Sequence, residues 1–76
     1  MIVASGYLEV NEIHNVTKIA GELKRRAIGI YEIEEQRIMF HMKRENIDLV
    51  KSEIASLRGM DAVSNVHLTY YSVEQH

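Results

Sequence analysis

The order of hydrophobic periods along the chain predicts an α+β fold of the ferredoxin-like type. This is a split βαβ arrangement (β-α-β-β-α-β) with two helices on one face of a four-stranded antiparallel sheet. Three observations predict it. Ile2 to Val10 and Val63 to Val73 alternate apolar and polar side chains, as half-buried strands do. Asn11 to Arg26 and Asn46 to Arg58 carry apolar stripes at helical spacing. Between them, Ile28 to Arg44 alternates over a length that suits two short strands joined by a tight turn. The 76 residues make a single domain, 1–76, with a modest core.

In the first strand Ile2, Ala4, Gly6, Leu8 and Val10 point one way, and Val3, Ser5, Tyr7 and Glu9 the other. The first set suits packing under helices, with Gly6 letting a helix approach closely. Asn11 is expected to cap the first helix, with Glu12 in its first turn. Ile13, Val16, Ala20, Leu23 and Ala27 form the buried stripe, widened by Ile19. A two-residue turn at Glu35-Gln36 would pair Ile33 with Ile38 and Tyr31 with Phe40, placing Tyr31 and Ile33 on the core face. A three-residue loop would slip the register and send Glu32 inward, burying a carboxylate. In the third strand Ile38, Phe40 and Met42 face the core, with Met39, His41 and Lys43 opposite. Asn46 caps the second helix over Ile47, Val50, Ile54 and Leu57, and Gly59 is expected as a left-handed residue at its end. In the last strand Val66, Leu68 and Tyr70 face inward, and His67, Thr69, Tyr71 and Val73 outward.

Composition removes several classes. The chain has no Cys, which excludes disulfides and thiolate metal ligands. No apolar run approaches the roughly 20 residues of a membrane span. The first residues enter a strand without the basic region of a signal peptide, so a cytoplasmic protein with no membrane insertion is expected. Nine basic and eleven acidic residues give a net charge of −2, against the basic face of a general nucleic-acid binder. The basic cluster Lys24-Arg25-Arg26 closes the first helix, where cations complement the helix dipole.

The sheet face without helices is expected to carry Ser5, Tyr7, Ile30, Met39, His41, His67, Thr69 and Tyr71. For a solvent-facing surface this set is rich in aromatic, Met and His side chains and poor in charge, the composition of an interaction surface. His41 and His67 would lie on strands separated by the first, roughly 9–10 Å apart, too far to share one zinc ion. His14 reads as a solvated helix residue and His76 as a mobile terminus. None of the serines has a nucleophile-elbow context, and there is no phosphate-binding glycine loop. No enzyme activity and no cofactor are therefore expected. Arg37-Ile38-Met39-Phe40-His41-Met42 also lacks the aromatic pattern of RNA-recognition domains.

The stretch Ile47 to Tyr71, and within it Ala62-Val63-Ser64-Asn65-Val66-His67-Leu68-Thr69-Tyr70-Tyr71, resembles the NapD-type chaperones of periplasmic nitrate reductase. That family shows a helix ending near a short x-G-V-x-x-V-x-L-V-Y-H segment. The opening strand Val3-Ala4-Ser5-Gly6-Tyr7-Leu8 is similar to the family's first strand, where Ser recurs at the place of Ser5. Ala62 stands where the family usually has Gly, and Tyr71 where it often has His. The segment Gly29-Ile30-Tyr31-Glu32 matches the family's G-V-E-V only loosely.

The resemblance implies a small cytoplasmic chaperone without catalysis. It would bind the twin-arginine signal peptide of a molybdenum-dependent nitrate reductase and delay export until the cofactor is inserted. Tyr7, His41, His67 and Tyr71 would receive the apolar part of the peptide, and Glu9 or Glu32 its arginines. A regulatory domain that binds small effectors or dimerises, possessing the same βαββαβ order, is the alternative, with a homodimer as its partner state.

Overall fold

Ile2–Val10 forms a strand, β1, in which every second side chain from Ile2 to Val10 is buried, as the alternation predicts. The computed structural model describes residues 1–74, so the expectation for His76 lies outside the described residues. A short 3₁₀ turn at Ile13–Asn15 leads into α1, Val16–Arg25; β2 and β3 follow at Gly29–Glu34 and Arg37–Arg44. Helix α2 spans Ile47–Arg58 and β4 spans Val63–Val73. The strands form one antiparallel sheet in the order β2-β3-β1-β4, which is the ferredoxin-like arrangement. β1 therefore sits inside the sheet, and β2 and β4 are its edges.

Both helices bury their stripes against the same side of the sheet. Leu8, Ile38, Phe40 and Met42 from the strands meet Ile19 and Leu23 of α1 and Val50, Ile54 and Leu57 of α2. All of these are almost fully buried, and no polar or charged residue is buried among the described residues. The clean separation follows from the period-2 and period-3.6 patterns agreeing on one core. Asn46 caps α2 as expected, its side-chain oxygen accepting from the Leu49 amide at 3.0 Å. The two-residue turn at Glu35-Gln36 is also present, with Glu34 opposite Arg37 and Ile33 opposite Ile38. The Gln36 side chain ties this turn to the end of β1, donating to the Val10 and Asn11 carbonyls at 3.0 Å each.

Two residues of the basic cluster, Arg25 and Arg26, pair within the molecule. Arg25 pairs with Glu22 one turn back. Arg26 reaches across to α2, 3.2 Å from Glu53 and 2.8 Å from the Ser56 hydroxyl. Arg44 at the end of β3 approaches Glu53 at 3.8 Å and donates to the Arg26 carbonyl at 3.0 Å. The network joins α1, α2 and β3 at one end of the core.

Four local expectations are corrected. Asn11 does not cap α1; it donates to the Asp61 carbonyl at 2.7 Å, and the helix begins after the 3₁₀ turn, leaving Ile13 65% exposed. Ala27 is not part of the stripe but ends α1 in the left-handed conformation, φ 60°. The amides of Ala27 and Ile28 return to the Lys24 and Leu23 carbonyls at 3.1 and 2.9 Å, a Schellman closure that seats Ile28 in the core against Leu23. Gly59, by contrast, ends α2 with φ −80°. At Gly6 it is the β4 backbone that comes close, not a helix: a Cβ there would strike the His67 carbonyl. No helix among the described residues is long and apolar enough to cross a membrane.

Candidate functional site

The face opposite the helices is organised by β1. Ser5, Tyr7 and Glu9 point to it and are each only half-buried. On the β3 side they oppose His41, Met39 and Arg37; on the β4 side they oppose Tyr70, His67 and Asn65. Directly opposed residues of antiparallel strands share a face, so these side chains form a contiguous surface three strands wide. Glu32 of β2 opposes Met39 and extends the surface by a fourth strand.

Two β-bulges rearrange the expected set. In β4 the register shifts between Ser5 and Gly6, so Leu68 opposes Gly6 while Tyr70 opposes Ser5. Thr69 is the extra residue, and its hydroxyl donates to the Ser5 carbonyl at 3.1 Å. Beyond the bulge the alternation is inverted. Tyr70 joins the open face, and Tyr71, opposite Ala4, turns to the helix side. In β2 the shift falls between Ile30 and Glu32, so Ile30 opposes Phe40 and packs against the core. Tyr31 is the extra residue here. It is 59% exposed, not on the core face, and its ring stacks on His41 with centroids 6.2 Å apart. Ile33 does share a face with Ile38, but at the sheet edge it remains 47% exposed.

The open face thus holds Ser5, Tyr7, Glu9, Glu32, Met39, His41 and His67 as expected. It lacks Ile30 and Tyr71, Thr69 is taken up in the β4 bulge instead of a paired position, and the face gains Tyr31, Tyr70, Arg37 and Asn65. Its aromatic groups come in ordered pairs. Tyr7 and His67 lie with centroids 5.3 Å apart and planes tilted by 30°. The His41 ring lies over the backbone of Gly29, where a Cβ would collide with it, so the missing side chain at Gly29 sets the place of this imidazole. The Arg37 guanidinium lies over the Tyr7 ring, 4.4 Å from its centroid.

The electrostatics are uneven. Glu9 already has partners: Arg37 stands 3.7 Å from one carboxylate oxygen, and the Asn65 amide donates to the other at 3.3 Å. Glu32 has no ion-pair partner among the described residues. An open depression beside the β2–β3 turn is lined by Glu9, Glu34, Glu35, Gln36 and Arg37. Among the described residues no three His, Asp or Glu side chains are grouped to hold a metal ion. The Glu22 carboxyl is held below its ordinary range by its hydrogen bonds from Arg25, and it lies away from this face. The surface can therefore stack, bury apolar groups and accept cations.

In comparison with known proteins, the chain matches no protein-family model, no curated protein and no solved structure.

Proposed function

We propose that the chain is a peptide-binding chaperone whose open sheet face receives a twin-arginine signal peptide, as the resemblance to NapD-type proteins implies. The client would be the catalytic subunit of a molybdenum-dependent nitrate reductase, held back from export until its cofactor is in place. One observation carries the binding half of this reading. Tyr7, Tyr31, Met39, His41, His67 and Tyr70 form a continuous aromatic and thioether surface bordered by the carboxylates of Glu9 and Glu32. A signal peptide is an arginine pair followed by an apolar stretch. An amphipathic turn of that stretch suits the flat aromatic surface, with i and i+4 side chains lying between the rings. The carboxylates at the border suit the arginines.

The bulge in β4 supplies a test of the site. Tyr70 and Tyr71 are neighbours in sequence, 61% and 56% exposed, and on opposite sides of the sheet. Tyr70→Ala should weaken binding of a fluorescent synthetic signal peptide about tenfold, as expected for removing one aromatic contact. Tyr71→Ala should leave affinity unchanged. Equal effects of the two substitutions contradict the assignment.

Pairing of two copies is favoured by a separate observation. The edge strand β4 carries no Asp, Glu, Lys or Arg over Val63–Val73, and Val73 is 61% exposed. Edge strands are normally blunted by charge. A monomeric mass in sedimentation at high concentration removes this reading.

A further inference from the structure

We infer that Tyr7, Glu9 and Asn65 form a cradle for a guanidinium group, and that the free protein fills this cradle with its own Arg37. The inference rests on the proposed function for its external ligand, an arginine of the bound peptide. Its geometry is on the molecule itself. The Arg37 guanidinium sits 4.4 Å above the Tyr7 ring and 3.7 Å from the Glu9 carboxylate. The other Glu9 oxygen accepts from Asn65 at 3.3 Å, which holds the carboxylate with one oxygen turned toward the guanidinium. His67 braces Tyr7 from β4 at 5.3 Å. An aromatic face beside a fixed carboxylate is the arrangement that selects a planar, delocalised cation over a compact ammonium.

The occupant is held lightly. The Arg37 side chain is 44% exposed and the Glu9 side chain 40% exposed, and an exposed pair at this distance contributes little. Arg37 is the first residue of β3, directly after the turn, so its side chain can leave for solvent without disturbing the core. Glu34 and Glu35 line the same depression as Glu9, so the cradle has more carboxylates around it than Arg37 neutralises. An arriving arginine finds a site already shaped for its head group and exchanges with Arg37. The protein's own side chain acts as an internal competitor that lowers affinity for peptides offering only charge. A true ligand overcomes it with the added contacts of its apolar stretch.

The consequence is a change of sign. Removing most residues of the open face weakens binding, whereas removing Arg37 strengthens it. The probe is the dipeptide N-acetyl-Arg-Arg-amide, titrated into isotope-labelled full-length protein, with the wild type, Arg37→Gln and Arg37→Lys compared. Arg37→Gln should bind about three- to tenfold more tightly, the gain expected from freeing one exposed cation–π contact and ion pair. Its amide shifts should centre on Tyr7, Glu9 and Asn65. Arg37→Lys, which keeps the charge without the planar fork, should fall between the two. Adding Glu9→Gln to Arg37→Gln should abolish the gain. Unchanged or weaker binding by Arg37→Gln overturns the inference, and so do shifts elsewhere. The two proposals fail separately. A dipeptide that fills the cradle while the full signal peptide shifts no amide at Tyr31, Met39, His41 or Tyr70 sinks the proposed function alone. A signal peptide that binds the face less tightly to Arg37→Gln sinks the cradle alone.

Discussion

Ala27 and Glu35 hold left-handed backbone, φ 60° and 55°, with side chains that disfavour it. A residue with a Cβ sacrifices about 1–2 kcal/mol in this region, part of which a glycine returns as greater freedom in the unfolded chain. Ala27→Gly should therefore raise stability by about 0.5–1 kcal/mol in urea denaturation. A loss of stability would contradict the Schellman closure of α1. Gly6 is the opposite case. A methyl group there meets the rigid His67 carbonyl, so Gly6→Ala should destabilise by about 1–3 kcal/mol. Neither position could be understood from its own residue type. Gly6 does carry a sequence signal, since a glycine inside a strand often marks a bulge or a close backbone approach. The approach, however, comes from β4, far along the chain. Ala27 carries none, because its neighbours continue the helical spacing and its closing bonds run through backbone.

Leu23 of α1 and Ile54 of α2 are buried on the same side of the sheet and mark what the elements contribute. Leu23→Ala or Ile54→Ala should cost about 2–5 kcal/mol, enough to unfold much of a domain this small. Tyr7→Ala should abolish peptide binding while shifting the melting temperature little, because the ring is half-buried on the open face. A Tyr7 variant as unstable as the Leu23 variant would place that ring in the core. The elements themselves were legible because hydrophobic period is a property of the sequence and of burial at once. The face of each strand was legible only as far as its alternation ran unbroken. One extra residue at Thr69 exchanges Tyr70 and Tyr71, and one at Tyr31 exchanges Ile30 and Tyr31. Alternation cannot register such an insertion, since the sequence before and after it keeps its period. The adjacent aromatics at Tyr70 and Tyr71 were the available hint, because only one of them can face a half-wet core. The partners of Glu9 were not legible at all, since Arg37 and Asn65 come to it from two other strands.

Charges of both signs lie on both sides of the molecule, with Arg37 and Glu9 paired on the open face. Arg25 and Arg26 at the α1 terminus pair with Glu22 and Glu53, while carboxylates border the open face. Glu22 is held below the ordinary carboxylate range by Arg25, so its contribution to stability is complete at neutral pH. It is lost as the pH falls from the ordinary glutamate value of 4.5 through the lowered one. In urea denaturation wild type should therefore be more stable than Glu22→Gln at neutral pH, and this advantage should shrink in acid as Glu22 takes up its proton. Equal acid sensitivity would deny the pair any role. Binding of a cationic peptide to a chain of net charge −2 should weaken as salt rises. The loss should be partial, because screening over roughly 8–10 Å acts on the arginines and leaves the apolar contacts intact. Calorimetry at two salt concentrations reads this, and binding independent of salt would leave Glu9 and Glu32 without a part. The central claim is that the open face is the binding surface, and titration of the labelled protein with a synthetic twin-arginine signal peptide tests it most directly. Amide shifts should concentrate at Tyr7, Tyr31, Met39, His41, His67 and Tyr70. Shifts confined to α1 and α2, or none at molar excess of peptide, would contradict the account.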